Sequence, residues 1–162
     1  MEEKNETKDK GKVERSVVMI RPHVLMEYGC DAVQNIKDFY LKDLDLKIIK
    51  TLRFTFTRKK AEEFYTEHRG KSFYEKLMVA TTEGESISLL IEGLNAVAKV
   101  RKINGHTDPR VAEAGTVRAK YGIKASPDEI NSGPRNGVHS SDSITSATRE
   151  EKIIWGSIKG LE

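Results

Sequence analysis

The sequence predicts an α/β (α+β) fold in which helices pack on a four-stranded antiparallel sheet. Three observations predict it. Short apolar runs with strand patterning occur at Val17–Ile20, Leu46–Phe56 and Ile87–Ile91, and a shorter one lies near Val138. Between them apolar residues recur at helical spacing, and Gly29, Gly70, Gly84 and Gly93 punctuate the segments. The resulting order, β-α-β-(αα)-β-α-loop-β-α, is two βαβ units, which close as the ferredoxin-like split βαβ arrangement. A chain of 162 residues is one domain's worth of protein, and helices on one face of the sheet suit that length.

Each element has its own justification. Residues 1–15 are mostly charged, so they bury too little apolar surface to offset their ordering entropy and read as a flexible arm. The domain then spans 16–162. Val17-Val18-Met19-Ile20 is an unbroken apolar run, the mark of a strand buried on both faces, and Pro22 ends it because proline cannot donate to a ladder. After a loop around Gly29, the spacing of Val33, Ile36, Phe39 and Tyr40 predicts a helix.

From Leu46 to Phe56 the period becomes two, with Leu46, Ile48, Leu52, Phe54 and Phe56 on one face and Lys47, Thr51, Arg53 and Thr55 on the other. Ala61, Phe64, Tyr65 and His68 are helical again up to Gly70, and Phe73, Leu77 and Met78 restart the pattern. Ile87–Ile91 is the third strand, and Gly93 parts it from a helix at 94–104. Residues 105–137 hold no long periodic segment, and a loop of that length in a compact domain is usually functional. A short strand near Val138 and a helix at 143–156 complete the order.

Composition narrows the function classes. At 37% hydrophobic and 33% charged the chain is globular rather than low-complexity. No apolar run approaches the roughly 20 residues of a membrane span, and no apolar segment follows the start methionine. Cys30 is the single cysteine, without zinc-type spacing around it. These features read as a soluble cytoplasmic protein. Lys plus Arg number 28 against 25 Asp plus Glu, a net charge of +3 with the signs mixed. That balance argues against a nucleic-acid partner and leaves room for a local anion site.

Candidate site residues stand where the periodicity calls for apolar ones. Leu94, Val97 and Ala98 predict an inward stripe on the 94–104 helix whose next position is Arg101, and Glu150 shares a helical face with Ala147 and Ile154. A charge on a core-facing stripe is costly unless paired. Arg135-Asn136-Gly137-Val138-His139-Ser140-Ser141-Asp142-Ser143 sets an amide, an imidazole, three hydroxyls and a carboxylate against a helix start, with Asp142 or Ser143 as N-cap. Glu150 on that helix can orient one ring nitrogen of His139 and leave the other free as a nucleophile. No glycine-rich phosphate loop is present, His68 reads as a packing residue and His106 as a loop residue.

The stretch from Asn136 to Ser143 resembles the N-x-x-H-x-S-D-S signature of the nucleoside diphosphate kinases. Val18-Met19-Ile20-Arg21-Pro22, Glu92-Gly93, Gly105-His106-Thr107-Asp108-Pro109, Gly115-Thr116-Val117-Arg118 and Ala147 to Glu150 extend the resemblance over nearly all of 16–155. It implies that His139 is phosphorylated by a nucleoside triphosphate and dephosphorylated by a diphosphate in a ping-pong cycle, with Glu150 orienting it. It implies that Arg101, Thr107 and Arg118 bind phosphates, that Phe73 and Leu77 hold the base, that Asn136 meets the ribose and that Tyr65 borders the transferred phosphate. Mg2+ would ride on the nucleotide phosphates with no dedicated cage, touching Asp142 through water. The family also implies a homo-oligomer built from dimers.

The chain departs from the family pattern in places. Arg21 stands where the family has a lysine that contacts the transferred phosphate, and His23 and Val24 replace an acid and a glycine. The stretch from Lys124 to Pro134 is longer than usual, and the chain stops soon after Trp155. Two readings follow: an active kinase slowed by Arg21, or a weak or inactive nucleotide-binding relative owing to Arg21 and His23. A DNA-binding role for the basic residues of the arm is a third, against which its mixed charge argues.

Overall fold

The computed structural model describes residues 11–124 and 135–156. Residues 1–10 of the charged arm, 125–134 of the long stretch and 157–162 lie outside the described residues. Strand β1 spans Val13–Ile20, and Pro22, which has no N–H to leave unpaired, opens helix α1, Pro22–Tyr28, at its first turn. That helix lies where the sequence suggests a loop. The strand begins before the expected Ser16 because its charged start is paired. Val13 sits opposite Leu94, and Arg15 forms ion pairs with Glu92 at 3.0 Å and Glu151 at 2.9 Å.

The chain continues through α2 (Asp31–Leu41), β2 (Leu46–Thr55), α3 (Arg58–Phe64) and α4 (Tyr74–Thr82) to β3 (Glu85–Leu94). Helix α5 (Ala96–Asn104), α6 (Val117–Tyr121), β4 (Val138–Ser140) and α7 (Ile144–Trp155) follow. Helix α6 is a single short turn inside the segment that carries no long period, capped by the Thr116 hydroxyl, which accepts the Ala119 N–H. The sheet order is β2-β3-β1-β4 with every pairing antiparallel, so β1 and β3 are central.

Helices cover both faces of the sheet, not one. Val18, Ile20, Leu89 and Ile91 pack under α2, α5 and α6, whereas Val17, Met19 and Leu90 pack under α3, α4 and α7. This is what a continuous apolar run in a central strand requires, and full burial contributes roughly 1.5–3 kcal/mol per such side chain. The alternation in β2 misleads for a local reason. A register shift between Ile48 and Lys50 inverts the pleat, so Leu46 and Ile48 join the first core, while Leu52, Phe54 and Phe56 join the second.

Gly93 closes the far end of β3 against the turn before β2. A Cβ there would lie 1.9 Å from the Asp45 carbonyl oxygen, a clash with backbone that no rotamer change relieves. Gly93→Ala should therefore cost roughly 1–3 kcal/mol of stability, read as a lowered melting temperature. An unchanged melting temperature would show that the Asp45 turn yields without cost.

Candidate active site

The site begins with the helix start of α7. The Ser143 hydroxyl accepts the Ser146 N–H at 3.0 Å, capping the helix and setting its phase. In that phase Ala147, Glu150 and Ile154 are all buried against the sheet, as their spacing predicts, and Glu150 is only 2% exposed. A carboxylate so placed needs partners. Its Oε1 lies 2.5 Å from His139 Nε2 and accepts from the Ser141 hydroxyl at 3.2 Å. Ser141 itself accepts the Val17 N–H at 2.9 Å, so the same hydroxyl ties β1, β4 and α7 together.

His139 lies on β4 opposite Met19 of β1. The ring edges of Phe64 and Tyr65 pack against its imidazole at centroid distances of 5.0 and 5.7 Å, which fixes the ring plane. With Nε2 committed to Glu150, Nδ1 is the nitrogen left for chemistry.

Cations gather opposite this histidine. Arg21 is 5% exposed and shows its fork to two side chains: Nε donates to Asn136 Oδ1 at 2.9 Å and Nη1 to the Tyr65 hydroxyl at 3.0 Å. Burial pushes the Tyr65 phenol above its ordinary range, so it stays protonated as the acceptor. Arg118 donates to the carbonyls of Gly105 at 2.7 Å and Val138 at 3.1 Å, while its Nε is buried without a partner. Burial, then the nearby Arg21 cation, brings Arg118 down to about 10, which still leaves it charged near neutrality. Among the described residues, Arg21, Arg101 and Arg118 have no carboxylate within ion-pair distance, so their charge is left uncancelled toward the cavity, an arrangement that favours an anion there.

Arg101 arrives by a different route from the expected one. The buried stripe of α5 is Ala96, Val97, Val100 and Asn104; Leu94 and Ala98 are not on it, and Arg101 is exposed. The arginine therefore does not interrupt the apolar face but sits beside it, on the wall of the cavity. Apolar residues on this short helix recur every three to four positions on more than one line, and that pattern alone does not fix which line faces in.

One cavity of about 1410 Å³ collects every sequence-predicted site residue. His139, Glu150, Arg21, Tyr65, Arg101, Arg118, Thr107 and Asn136 line its polar part, and Phe73 and Leu77 an apolar wall. Phe73 is 39% exposed and offers a ring face, with the His68 ring against it at 5.4 Å. His68 is thus a wall residue of the cavity rather than a packing residue only. Asn136 is already engaged, donating to the Thr107 carbonyl at 3.1 Å and accepting from Arg21.

The sequence reading did not single out Arg149, which lines the cavity and donates to the carbonyls of Glu63 and Phe64 at the end of α3. Nor did it find a role for His23. Its place beside Glu150 in the motif was the only signal for Arg149.

The family model of nucleoside diphosphate kinase matches residues 14–159. The chain belongs to the nucleoside diphosphate kinase family. Members are phosphotransferases, and the chain is an enzyme of that kind. The nucleoside diphosphate kinase of Staphylothermus marinus is 39% identical over 142 residues, covering 88% of this chain and 92% of the relative. That of Methanococcus maripaludis is 35% identical over 144 residues, covering 89% and 99%. Among solved structures, the Aquifex aeolicus nucleoside diphosphate kinase superposes with a TM-score of 0.75 at 28% identity, covering 88% of this chain and 95% of that one. A Halobacterium salinarum nucleoside diphosphate kinase in complex with CDP gives 0.73 at 27% identity, covering 88% of each chain.

Against the expectation of a poorly fitted lysine site, Arg21 is buried and bonded through two separate nitrogens. A lysine has one compact head and cannot serve Asn136 and Tyr65 from those two points at once. Arg21→Lys should therefore lower turnover by roughly 10- to 100-fold, with nucleotide affinity little changed because Arg101 and Arg118 remain. Steady-state kinetics with a separate binding titration checks this; a faster Arg21→Lys enzyme would contradict it.

Proposed function

We propose that the chain moves the γ-phosphoryl group of a nucleoside triphosphate to a nucleoside diphosphate through a phosphohistidine on His139. The observation that carries the reading is the 2.5 Å contact between His139 Nε2 and buried Glu150, which leaves Nδ1 as the nucleophile at the edge of a cavity lined by arginine. In the first half-reaction the Nδ1 lone pair forms the N–P bond as the bond from phosphorus to the β-phosphate oxygen breaks. The diphosphate leaves with that electron pair, and Glu150 holds the Nε2 proton as positive charge develops on the ring. The second diphosphate then attacks the same phosphorus and the N–P bond returns its electrons to Nδ1.

Phosphoryl transfer rests on positioning and on charge neutralisation, which the residues present can supply. Arg21, Arg101, Arg118 and Thr107 take the phosphates, Asn136 the ribose, Phe73 and Leu77 the base, and Tyr65 borders the transferred group. Mg2+ fits this donor set as a passenger on the nucleotide. Asp142, kept below its ordinary carboxylate range chiefly by a hydrogen bond from Ser146, is an anion of the cavity wall close to His139 in the chain that would meet it through water. Among the described residues no cluster of His, Cys, Asp and Glu is built to hold a metal alone. When bound, the ion supplies charge neutralisation of the phosphate oxygens.

A binding-only relative is not favoured, because family membership, the nucleophile, its orienting carboxylate and the arginines occur together. Family membership also supports a homo-oligomer built from dimers, and β2 is an open edge strand with Ile49 and the nearby Leu44 exposed. Among the described residues no helix is long and apolar enough to cross a membrane. A cytoplasmic location supplies the nucleoside triphosphates the reaction consumes. We place the start of the catalytic domain at β1, from Val13, three residues ahead of the boundary at 16 that the sequence suggests.

Incubation with γ-labelled ATP and magnesium should leave one acid-labile, alkali-stable phosphate, absent from His139→Ala. Acid-stable label, or full labelling of the variant, would remove the ping-pong scheme. Phe73 stacking and Leu77 contact tolerate any base, so purine and pyrimidine diphosphates should be used within roughly one or two orders of magnitude of each other in kcat/KM. A much sharper preference would mean that another element reads the base.

A further inference from the structure

Helix α1 contributes a side chain that this scheme leaves without a task. His23 is 5% exposed, and its Nε2 accepts the backbone N–H of Gly137 at 2.9 Å. The carbonyl of Gly137 accepts the backbone N–H of Arg21 at 3.0 Å. Gly137 is therefore held on both of its backbone polar groups, just ahead of the nucleophile in the chain. It has a φ of 92°, which only glycine adopts readily, and an unpinned glycine would be the freest joint of the segment.

The neighbouring ties agree with such a task. Asn136 is bonded to the Arg21 side chain and the Thr107 carbonyl, and Val138 pairs with Ile20 while its carbonyl accepts from Arg118. The approach to His139 is thus fixed largely from Arg21 and His23. Because Nε2 accepts, the ring proton sits on Nδ1, and that N–H is buried without a partner. An unpaired buried donor is costly, so an apolar residue would fill this space better if filling were the only requirement. Burial, with the cations of Arg21 and Arg135 nearby, lowers the imidazole to about 3, so the acceptor lone pair persists at neutral pH.

We propose that His23 is a positioning residue for phosphoryl transfer: its Nε2 pins the Gly137 N–H, and through that backbone sets where His139 presents Nδ1. The proposal rests on His139 as the nucleophile.

Replacing His23 by Gln, Asn and Leu tests it. The Gln amide oxygen can reach the place of Nε2, Asn stops short of it, and Leu offers bulk with no acceptor. For each, the rate of label transfer from ATP to His139 in a single turnover, kcat, KM for both nucleotides and the melting temperature are measured. His23→Leu and His23→Asn should lower the transfer rate and kcat by roughly 10- to 100-fold with KM little changed, and His23→Gln should recover most of the rate. Three variants at wild-type speed, or a folded His23→Gln as slow as His23→Asn, would overturn the proposal. If His23→Leu does not fold, the Gln and Asn pair decides alone. A wild-type protein that takes no label on His139 overturns the nucleophile assignment instead, so the two failures are distinct.

Discussion

A carboxylate buried to 2% exposure has to be satisfied, and the way Glu150 is satisfied organises the catalytic end of this molecule. Its partners are His139 on the strand beside it and Ser141 just after that strand, and Ser141 is in turn bonded to Val17 in the central strand. Among the described residues edge strand β4 is short and pairs with β1 alone, and it carries His139, the nucleophile proposed above. Side-chain bonds add to this short ladder: Glu150 of α7 meets His139, and His23 of α1 accepts the N–H of Gly137 just before the strand. Removing Glu150 would leave His139 without an orienting acceptor and the Ser141 hydroxyl with one partner fewer, and a broken buried network of this type costs more than its separate bonds suggest.

The second constraint is charge. Arg21, Arg101 and Arg118 come from the end of β1, from α5 and from α6, so separate parts of the fold aim like charges at one cavity. Burial first, and then the like charge of Arg21, lowers the proton affinity of Arg118. Without a polyanion the arrangement is held by carbonyls and neutral side chains: Gly105, Val138, Asn136 and the Tyr65 hydroxyl. Such neutral acceptors orient a cation without cancelling its charge, which suits a site that must bind nucleotide phosphates and release them.

Much of this was legible in the sequence. His139, Glu150 and the capped helix start lie within a short span, where helical spacing and N-cap chemistry translate directly into geometry. The unbroken Val17–Ile20 run correctly marked a strand buried on both faces, which itself calls for helices on both sides. What failed was phase. Nothing in the alternation of β2 announces the shift at Ile48 and Lys50, because the bulge is set by pairing with β3. On α5 the choice of inward face depends on how the helix lies on the sheet, so Arg101 was placed on the wrong stripe and still reached the right cavity. His23 was unreadable for a further reason: its partner Gly137 is 114 residues away, and the bond exists only once the sheet is assembled.

The central claim is that Glu150 holds the Nε2 proton of His139 and leaves Nδ1 as the reacting atom. Nitrogen-15 NMR of the imidazole, in the free enzyme near neutral pH and again after phosphorylation, tests it most directly. The account predicts His139 as the Nε2–H tautomer, with phosphorus bonded to Nδ1 in the phosphorylated form. A resting Nδ1–H tautomer, or phosphorus bonded to Nε2, would contradict it.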